Sequence, residues 1–235
     1  MNYAVSPSQP VTLPIANSEQ VFPVRRVYCV GRNYADHAVE MGSDPNREPP
    51  FFFCKHNDEQ SIVAVLPNEI KDLPYPSQTQ NLHYEVELVV AIGKDGKNID
   101  VATATSHIFG YAVGLDMTRR DLQNEMKKIG RPWEIGKAFD YSTPIGQLHT
   151  LGDTGEINDG NISLAVNGEI KQQGNINQLI WNVAETIANL SILFELKAGD
   201  LIFTGTPAGV GAVVKGDEMV AHIDGLSDIR LLVTS

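Results

Sequence analysis

Two short turn signals divide the second half of the chain into pairs of strands. Asn167-Gly168 and Asp224-Gly225 each lie between runs of apolar and β-branched residues. These dipeptides favour the tight turns that join antiparallel strands, because both of their residues tolerate a positive φ. Further compact apolar runs, rich in β-branched or aromatic residues, stand at 27–30, 51–54 and 86–92. The sequence therefore predicts that much of the chain is antiparallel β structure.

Helices are expected at only three places. A run of apolar residues at three- and four-residue steps predicts a helix over about 177–194: Leu179, Ile180, Val183, Ile187, Leu190 and Phe194. A second helix is expected to begin near Thr118, a candidate cap, and to stop at Gly130. A third spans about 34–41, with Asn33 available as its cap. The predicted fold class is α+β, mostly β.

Length and composition indicate one ordinary globular domain. The chain has 235 residues, enough for one full core, and its 42% hydrophobic and 20% charged residues are far from the composition of disorder. No repeat or low-complexity tract is visible, and the turn-rich stretch at 67–80 is expected to be a loop. We expect an N-terminal extension over 1–24 and one catalytic domain over 25–235.

The net charge restricts the class of ligand. At −11 it argues against nucleic acid, whose binding depends on clustered lysine and arginine. The same charge weakly repels anions at long range, so an enzyme acting on small acids must concentrate positive charge locally through arginine, lysine or a metal ion.

Cysteines and hydropathy indicate the compartment. Cys29 and Cys54 stand in hydrophobic contexts without metal-site spacing, so they are expected to be buried thiols in a reducing compartment. The N-terminus lacks a basic start followed by an apolar run, and no apolar segment reaches the ~20 residues that span a bilayer. We therefore expect a cytoplasmic protein with no membrane partner.

Three carboxylates are candidate metal ligands. In HYEVEL, Glu85 and Glu87 stand two apart in a predicted strand, so their side chains share one face and repel each other unless a cation lies between them. Asp116 ends the apolar run YAVGLD just before a predicted helix. Oxygen ligands favour Mg²⁺, Mn²⁺ or Ca²⁺ over zinc. The alternatives are an exposed strand face for the glutamates and a loop aspartate bonded to its own backbone.

Arg120 and Gln123 are candidates for binding a substrate carboxylate. They lie three residues apart near the start of the predicted helix and so share a face. A planar guanidinium beside a carboxamide suits a carboxylate. The alternative is a solvated helix face, which is where we expect four other residues: Arg119, Asp121, Lys127 and Lys128.

Acid–base groups are found in two further motifs. In GRNYADHAVEM, His37 and Glu40 are three apart, so the carboxylate can orient the ring and leave the other nitrogen as a base, although such pairs are common on surfaces. Lys137, in the apolar context WEIGKAF, could supply local positive charge or extend from a buried strand to solvent. The loop TGTPAGVG, 204–211, could face an anion or form a tight turn.

Seven motifs in order resemble the fumarylacetoacetate hydrolase family, from about Val27 to the C-terminus. They are VYCVGRNYADHAVEMG, PPFFFCK, LHYEVELVVAIG, YAVGLDMTRRDLQ, PWEIGKAFD, VNGEIKQQG and GDLIFTGTPAGVG. The chain looks most similar to short bacterial acylpyruvate and fumarylpyruvate hydrolases and to mitochondrial relatives that decarboxylate oxaloacetate. The resemblance implies a mixed β-sandwich or roll with few helices, usually a homodimer.

The resemblance also implies roles for particular residues. Glu85, Glu87 and Asp116 match the family's ligands for Mg²⁺ or Mn²⁺. His37 and Glu40 match a dyad on a mobile lid helix, and Lys137 matches a lysine near the reacting centre. Three residues match the lining around the substrate carboxylate: Arg120, Gln123 and Thr206.

Two departures from the family pattern bear on the subfamily and the substrate. Tyr84 stands where close relatives often carry a second histidine, and His56-Asn57-Asp58 replaces an expected Pro-Ser or Pro-Asn pair after Lys55. The expected activity is hydrolysis of the carbon–carbon bond of a 1,3-dioxo acid, an acylpyruvate such as fumarylpyruvate. Oxaloacetate decarboxylation or keto–enol tautomerisation is the alternative within the family, and a non-catalytic small-acid binding protein is the alternative of another class.

Overall fold

The structure, a computed structural model, describes residues 2–6, 9–40 and 48–235, except the side chains of 38–40. Its strands are β1 (Thr12–Pro14), β2 (Val21–Pro23), β3 (Arg26–Gly31), β4 (Phe51–Lys55), β5 (Ile62–Ala64), β6 (Ile70–Pro74), β7 (Leu82–Tyr84), β8 (Val86–Ile92), β9 (Ile108–Leu115), β10 (Thr118–Arg119), β11 (Thr143–Ile145), β12 (His149–Thr150), β13 (Asn161–Val166), β14 (Glu169–Asn175), β15 (Asp200–Phe203), β16 (Gly211–Val213), β17 (Glu218–Ile223) and β18 (Ile229–Thr234). Its α-helices are α1 (Ala35–Glu40), α2 (Arg120–Lys128), α3 (Glu134–Lys137), α4 (Leu151–Thr154) and α5 (Val183–Leu193), with 3₁₀ helices at Val101–His107 and Ile176–Gln178.

The largest sheet has the strand order β4-β3-β15-β8-β9-β11-β5, with β12 pairing β9. Every residue of β8 is buried. Leu88 and Val90 belong to the main hydrophobic core, whereas Val89 and Ala91 belong to a second apolar cluster on the other face. Burial on both faces explains why this strand is a continuous apolar run rather than an alternating one.

A second sheet, in the order β14-β13-β17-β18-β6, covers one face of the first. Its strand β13 alternates between buried and partly exposed residues, and Ile162, Leu164 and Val166 pack in the same core as Leu88. Alternation of this kind marks a sheet with one dry face. A small third sheet, β10-β7-β16, lies next to the start of β8.

The mostly β, mixed architecture with few helices is confirmed. Both turn signals join antiparallel hairpins, β13 to β14 and β17 to β18. Among the described strands, three pairs are parallel: β3 with β15, β5 with β11, and β6 with β18. Two of the sheets are therefore mixed. The expected loop at 67–80 is wrong in its middle, because β6 forms there by pairing with a strand about 160 residues later.

Two of the predicted helices differ from expectation. The segment 177–194 is a 3₁₀ turn followed by α5, because Asn182 starts a new helix and its side chain accepts a hydrogen bond from Glu185 N at 2.9 Å. The second helix begins at Arg120, since Thr118 lies in β10 and does not cap it.

The third helix, α1, lies where expected, and Met41 is outside the described residues. Asn33 does not act as its cap. The Asn33 amide instead donates to the carbonyl oxygens of Trp181 and Thr204, at 2.9 and 2.7 Å, and its oxygen accepts from Trp181 N. This side chain therefore joins the loop before α1 to the loop after β15.

The cysteine prediction is half right. Cys29 is buried, but Cys54 is exposed, because β4 is an edge strand that presents it to solvent. Both thiols are free. Leu13 and Phe22 of the β1–β2 hairpin are buried in one cluster with Val27, while the proposed division after residue 24 stays a prediction. Within the described ranges, no helix is long and apolar enough to cross a bilayer.

Candidate metal and substrate site

Three buried carboxylates meet at the ends of two neighbouring strands. Glu85 immediately precedes β8, Glu87 is its second residue, and Asp116 follows β9. Because β8 and β9 are antiparallel partners, the end of one meets the start of the other, and Asp116 N donates to Glu85 O at 2.9 Å. One carboxylate oxygen from each residue lies within 4.8 Å of the other two. The alternative of an exposed strand face is therefore wrong for the glutamates, and that of a loop aspartate bonded to its own backbone is wrong for Asp116, whose carboxylate pairs with Lys55 and Lys137.

Lys137 joins two of these carboxylates. Its Nζ lies 2.8 Å from Glu85 Oε2 and 2.7 Å from Asp116 Oδ2, and it donates to Thr118 Oγ1 at 2.7 Å. The residue ends the short helix α3 and is 2% exposed, so it does not extend to solvent. All three donors of its ammonium group are used, which fixes the position of the charge.

Lys55 is a site residue that the sequence analysis did not identify. Its Nζ lies 2.7 Å from Asp116 Oδ1 and donates to the carbonyl oxygens of Met117 and Lys137. Its side chain has no exposed surface. A lysine that ends the apolar run PPFFFCK was the available signal, since a buried ammonium requires a partner. Asp116 is thus held between two lysines.

Arg120 and Gln123 lie together on α2, as expected. The guanidinium of Arg120 pairs with Glu85 Oε1 and with the amide oxygen of Gln123, and both residues are 4% exposed. Arg120 Nε is also 3.4 Å from Nδ1 of His83. Burial, followed by the charge of Arg120, lowers the pKa of His83 to about 4. His83 is therefore neutral near pH 7 and adds no further positive charge.

The cations act unequally on the two glutamates. Burial alone would raise the pKa of Glu85, but Lys137 and Arg120 more than offset it and hold that pKa well below its usual range. Burial raises the pKa of Glu87 well above its usual range, and the charges of Asp116 and Glu85 raise it further. Among the described side chains, no lysine or arginine nitrogen lies within 4.0 Å of the Glu87 carboxylate.

This imbalance is a test of whether the site suits a cation. Three buried oxygen donors lie within reach of one centre, and at Glu87 negative charge is poorly compensated by protein groups. A divalent ion would supply the missing positive charge, and carboxylate oxygens are the donors that Mg²⁺ and Mn²⁺ prefer. The residues present therefore fit a hard divalent cation.

The loop after β15 closes one side of the site. Gly205 N donates to Glu87 Oε2 at 2.7 Å. Gly205 has φ +107°, and a Cβ there would lie 2.7 Å from Asn33 Cβ, so both the conformation and the packing require glycine. The loop 204–211 was expected either to face an anion or to form a tight turn. The Gly205 amide faces an anion, which is the Glu87 carboxylate of the protein itself.

Thr206 is held by a second residue that the sequence analysis missed. Gln172, on β14, donates to Thr206 Oγ1 and to Pro207 O, both at 2.8 Å, and accepts from Val86 N at 3.0 Å. Val86 stands between the two glutamates, so one buried amide joins the segment that carries them to the loop. Gln172 has no exposed surface, and nothing local in the sequence distinguishes it from an exposed strand glutamine.

All of the predicted site residues except Glu40 line a single cavity. Its walls include His37, the three carboxylates, Arg120, Gln123, Lys137 and Thr206. His37 is 6% exposed and faces this cavity from α1. The side chain of Glu40 lies outside the described residues, so the expected His37/Glu40 pair stays a prediction, as does the role of α1 as a lid. The arrangement combines a cation site, fixed positive charge and a histidine beside one small cavity.

Known proteins resemble this chain in both sequence and structure. The family model for the fumarylacetoacetate (FAA) hydrolase C-terminal domain matches residues 26–234. A crystal structure of fumarylpyruvate hydrolase from Pseudomonas aeruginosa in complex with Mn²⁺ and pyruvate is 57% identical, covers 99% of both chains and superimposes with a TM-score of 0.97.

Two similar sequences carry different activities. A fumarylpyruvate hydrolase from Ralstonia sp. is 44% identical over 81% of this chain and 95% of its own length. The oxaloacetate tautomerase YcgM of Escherichia coli is 42% identical over 88% of this chain and 91% of its own length.

Proposed function

The chain belongs to the fumarylacetoacetate hydrolase family, and from this premise we propose that it is a metal-dependent hydrolase that cleaves an acylpyruvate, fumarylpyruvate in particular, to pyruvate and a carboxylic acid. The observation that carries the proposal is the buried group of three carboxylates, in contact with Lys137 and Arg120 and sharing a cavity with His37. The P. aeruginosa relative, solved with Mn²⁺ and pyruvate, supports the metal and the product class.

Glu85, Glu87 and Asp116 are the residues that would hold the cation, Mg²⁺ or Mn²⁺. When bound, such an ion polarises the 2-oxo group of the substrate and stabilises the negative charge of an enolate. Lys137 adds a fixed positive charge next to two of the ligands, and burial strengthens its effect.

Arg120 and Gln123 are proposed to orient the carboxylate next to the 2-oxo group. The guanidinium is already fixed by Glu85, so its remaining donors are preorganised. Thr206, positioned by Gln172, would contact the same end of the substrate. These contacts hold the dioxo chain with its distal carbonyl toward His37.

His37 is proposed to be the general base, oriented by Glu40. It takes a proton from water, and the water oxygen attacks the distal carbonyl carbon. The bond between that carbon and the methylene carbon then breaks, and its electron pair passes to the pyruvate part as an enolate. His37 returns the proton to the methylene carbon, so the products are pyruvate and the acid of the acyl group.

The direct test follows loss of the enol absorbance of fumarylpyruvate, with pyruvate and fumarate identified as products, in the presence and absence of Mg²⁺ or Mn²⁺. Glu87→Gln should bind metal weakly and lose activity, whereas His37→Ala should bind metal normally and lose about 10²–10⁴-fold in hydrolysis. Normal turnover by Glu87→Gln in the presence of a chelator would contradict the proposal.

Oxaloacetate tautomerisation or decarboxylation is the second candidate, favoured by the similarity to the E. coli tautomerase. Both reactions pass through an enolate but require no attacking water. His37→Ala separates the candidates, because hydrolysis should disappear while decarboxylation need not depend on a base that activates water. A binding protein without activity is disfavoured, since it would have no use for a histidine buried beside the carboxylates.

We further propose a cytoplasmic homodimer acting on a small-molecule substrate. Support for the dimer comes from an apolar patch at the end of α5, where Ile192 and Leu193 are more than 60% exposed, as a second copy could cover it. Light scattering coupled to size exclusion tests this, with Leu193→Lys expected to shift the protein toward the monomer.

A further inference from the structure

The cavity continues outward past the metal-binding residues and ends in two cations that the reaction itself does not use. Arg32 and Lys127 both line it, together with the aromatic residues Phe53 and Trp133. Lys127 was expected on the solvated face of its helix. It is exposed, but it also borders the cavity.

One wall of the cavity is a single face of α2. Arg120, Gln123 and Lys127 are spaced three and four residues apart, so all three point the same way. Arg120 contacts Glu85 at the inner end. Lys127 stands about 10 Å further along the helix axis, at the outer end.

Aromatic rings form another part of the lining. Lys137 Nζ lies 5.2 Å from the ring centre of Phe53, which lies 5.9 Å from that of Trp133, and both rings line the cavity. Trp133 also meets Phe51 edge to face at 5.5 Å, and the guanidinium carbon of Arg32 lies 5.5 Å from the Phe51 ring, which is not itself part of the lining. These ring contacts connect Lys137 at the inner end to Arg32.

Arg32 has features of a residue kept for binding. Its φ is +56°, a conformation that non-glycine residues seldom adopt and that recurs at functional sites. Among the described side chains, no carboxylate forms an ion pair with it. Arg32, Arg120 and Lys127 line the same cavity, and partial burial, followed by the charges of Arg32 and Arg120, lowers the pKa of Lys127.

We propose that Arg32 and Lys127 bind a second carboxylate at the far end of the substrate, so that the site selects acylpyruvates whose acyl group ends in a carboxylate. The inference rests on the proposed function and identifies the residues that read the acyl group. An acylpyruvate of seven carbons spans about 7.5 Å when extended, so it fits within the ~10 Å that separate Arg120 from Lys127 along the axis of α2. The aromatic rings would pack on its central carbons, and the two cations would neutralise its terminal charge.

The experiment compares two substrates of equal chain length. Fumarylpyruvate carries the terminal carboxylate, and crotonylpyruvate keeps the trans double bond but has a methyl group in its place. For the wild-type protein we expect kcat/KM to be at least tenfold higher for fumarylpyruvate. Arg32→Gln and Lys127→Gln should each lower this preference about tenfold, chiefly by raising KM for fumarylpyruvate.

Lys128→Gln is the matched control, since it removes one positive charge from the same helix at a position that does not border the cavity. It should leave the preference unchanged, and continued cleavage of crotonylpyruvate shows that each variant is folded. An unchanged preference in both Arg32→Gln and Lys127→Gln would overturn the inference alone. If the wild-type protein with metal cleaves neither substrate, the proposed function itself fails.

Discussion

Two lysines of this chain each join two carboxylates, one in the interior and one at the surface. Lys137 lies between Glu85 and Asp116, at 2.8 and 2.7 Å, with a side chain that is 3% exposed. Lys197 lies between Asp95 and Glu195, at 3.1 and 2.6 Å, with a side chain that is 33% exposed. The distances around the two lysines are similar. We therefore attribute any difference between the effects of substituting them to burial.

The pKa values of both lysines are raised, but for different reasons. Burial by itself lowers the pKa of Lys137, and the charges of Asp116 and Glu85 reverse this and raise it. At Lys197, hydrogen bonds from its ammonium group to Glu195 and Asp95 raise the pKa with little opposition. The interior charges therefore depend on one another for their stability, whereas water can replace either partner of the surface lysine.

The largest effect is expected from Asp116→Asn. This carboxylate pairs with both Lys55 and Lys137, so its loss leaves two buried ammonium groups undercompensated. We expect inactivity and a loss of about 3–5 kcal/mol in the free energy of unfolding. Urea denaturation measures it, and an unfolding midpoint equal to that of the wild type would show that the interior ion pairs do not hold the fold.

Substituting the two lysines in parallel compares the regions directly. Lys137→Met should abolish activity and lower the free energy of unfolding by about 3 kcal/mol, because it removes the only described cation that contacts both Glu85 and Asp116. Lys197→Met should leave activity and the denaturation midpoint within experimental error. Equal midpoints for the two variants would contradict the dependence on burial.

Glu87→Gln should lose activity, as Asp116→Asn and Lys137→Met do, but it should gain stability in the absence of metal. Without metal, the variant should be more stable than the wild type by on the order of 1 kcal/mol, because it removes the buried charge with the least compensation. With Mn²⁺ at about 100 times its dissociation constant, the wild type should gain about 2.7 kcal/mol and the variant much less. Thermal unfolding with and without Mn²⁺ measures both effects, and a metal-free variant less stable than the wild type would contradict the charge argument.

The smallest effect concerns pH at the surface lysine. Contacts with Ala198 N and Lys197 lower the pKa of Asp95, and Lys197 lowers that of Glu195. A carboxylate with a lowered folded-state pKa stabilises the fold above its unfolded pKa, and this contribution disappears as pH falls through the folded pKa. Any midpoint difference between wild type and Lys197→Met should therefore be small at pH 7 and vanish toward pH 3. A difference that grows on acidification would contradict this sign.

The same contrast explains how much the sequence predicts. The spacing of Glu85 and Glu87 and the position of Asp116 at a strand end are local features, and each led to its place in the site. Lys55 was missed because its partner Asp116 is 61 residues away. Gln172 was missed for the same reason, because its partner Val86 is 86 positions away and its partner Thr206 is 34 positions away.

Long-range contacts also account for the wrong cap. Thr118 has the residue type and position of a helix cap, but its hydroxyl accepts from Lys137 Nζ. Its backbone lies in β10 and pairs with His83 of β7. The turn signals at Asn167-Gly168 and Asp224-Gly225 succeeded because their information is contained in two residues. Elements that depend on such local chemistry are predictable, and pairings between distant buried groups are not.

We propose that the interior carboxylates hold a divalent cation, which the protein uses to cleave an acylpyruvate. Calorimetry of Mn²⁺ binding to the wild-type protein and to Glu87→Gln, with fumarylpyruvate cleavage assayed in the same samples, tests this proposal. We expect one site per chain in the wild type, and loss of both binding and cleavage in the variant. Undiminished cleavage by a variant that binds no Mn²⁺ would contradict the proposal.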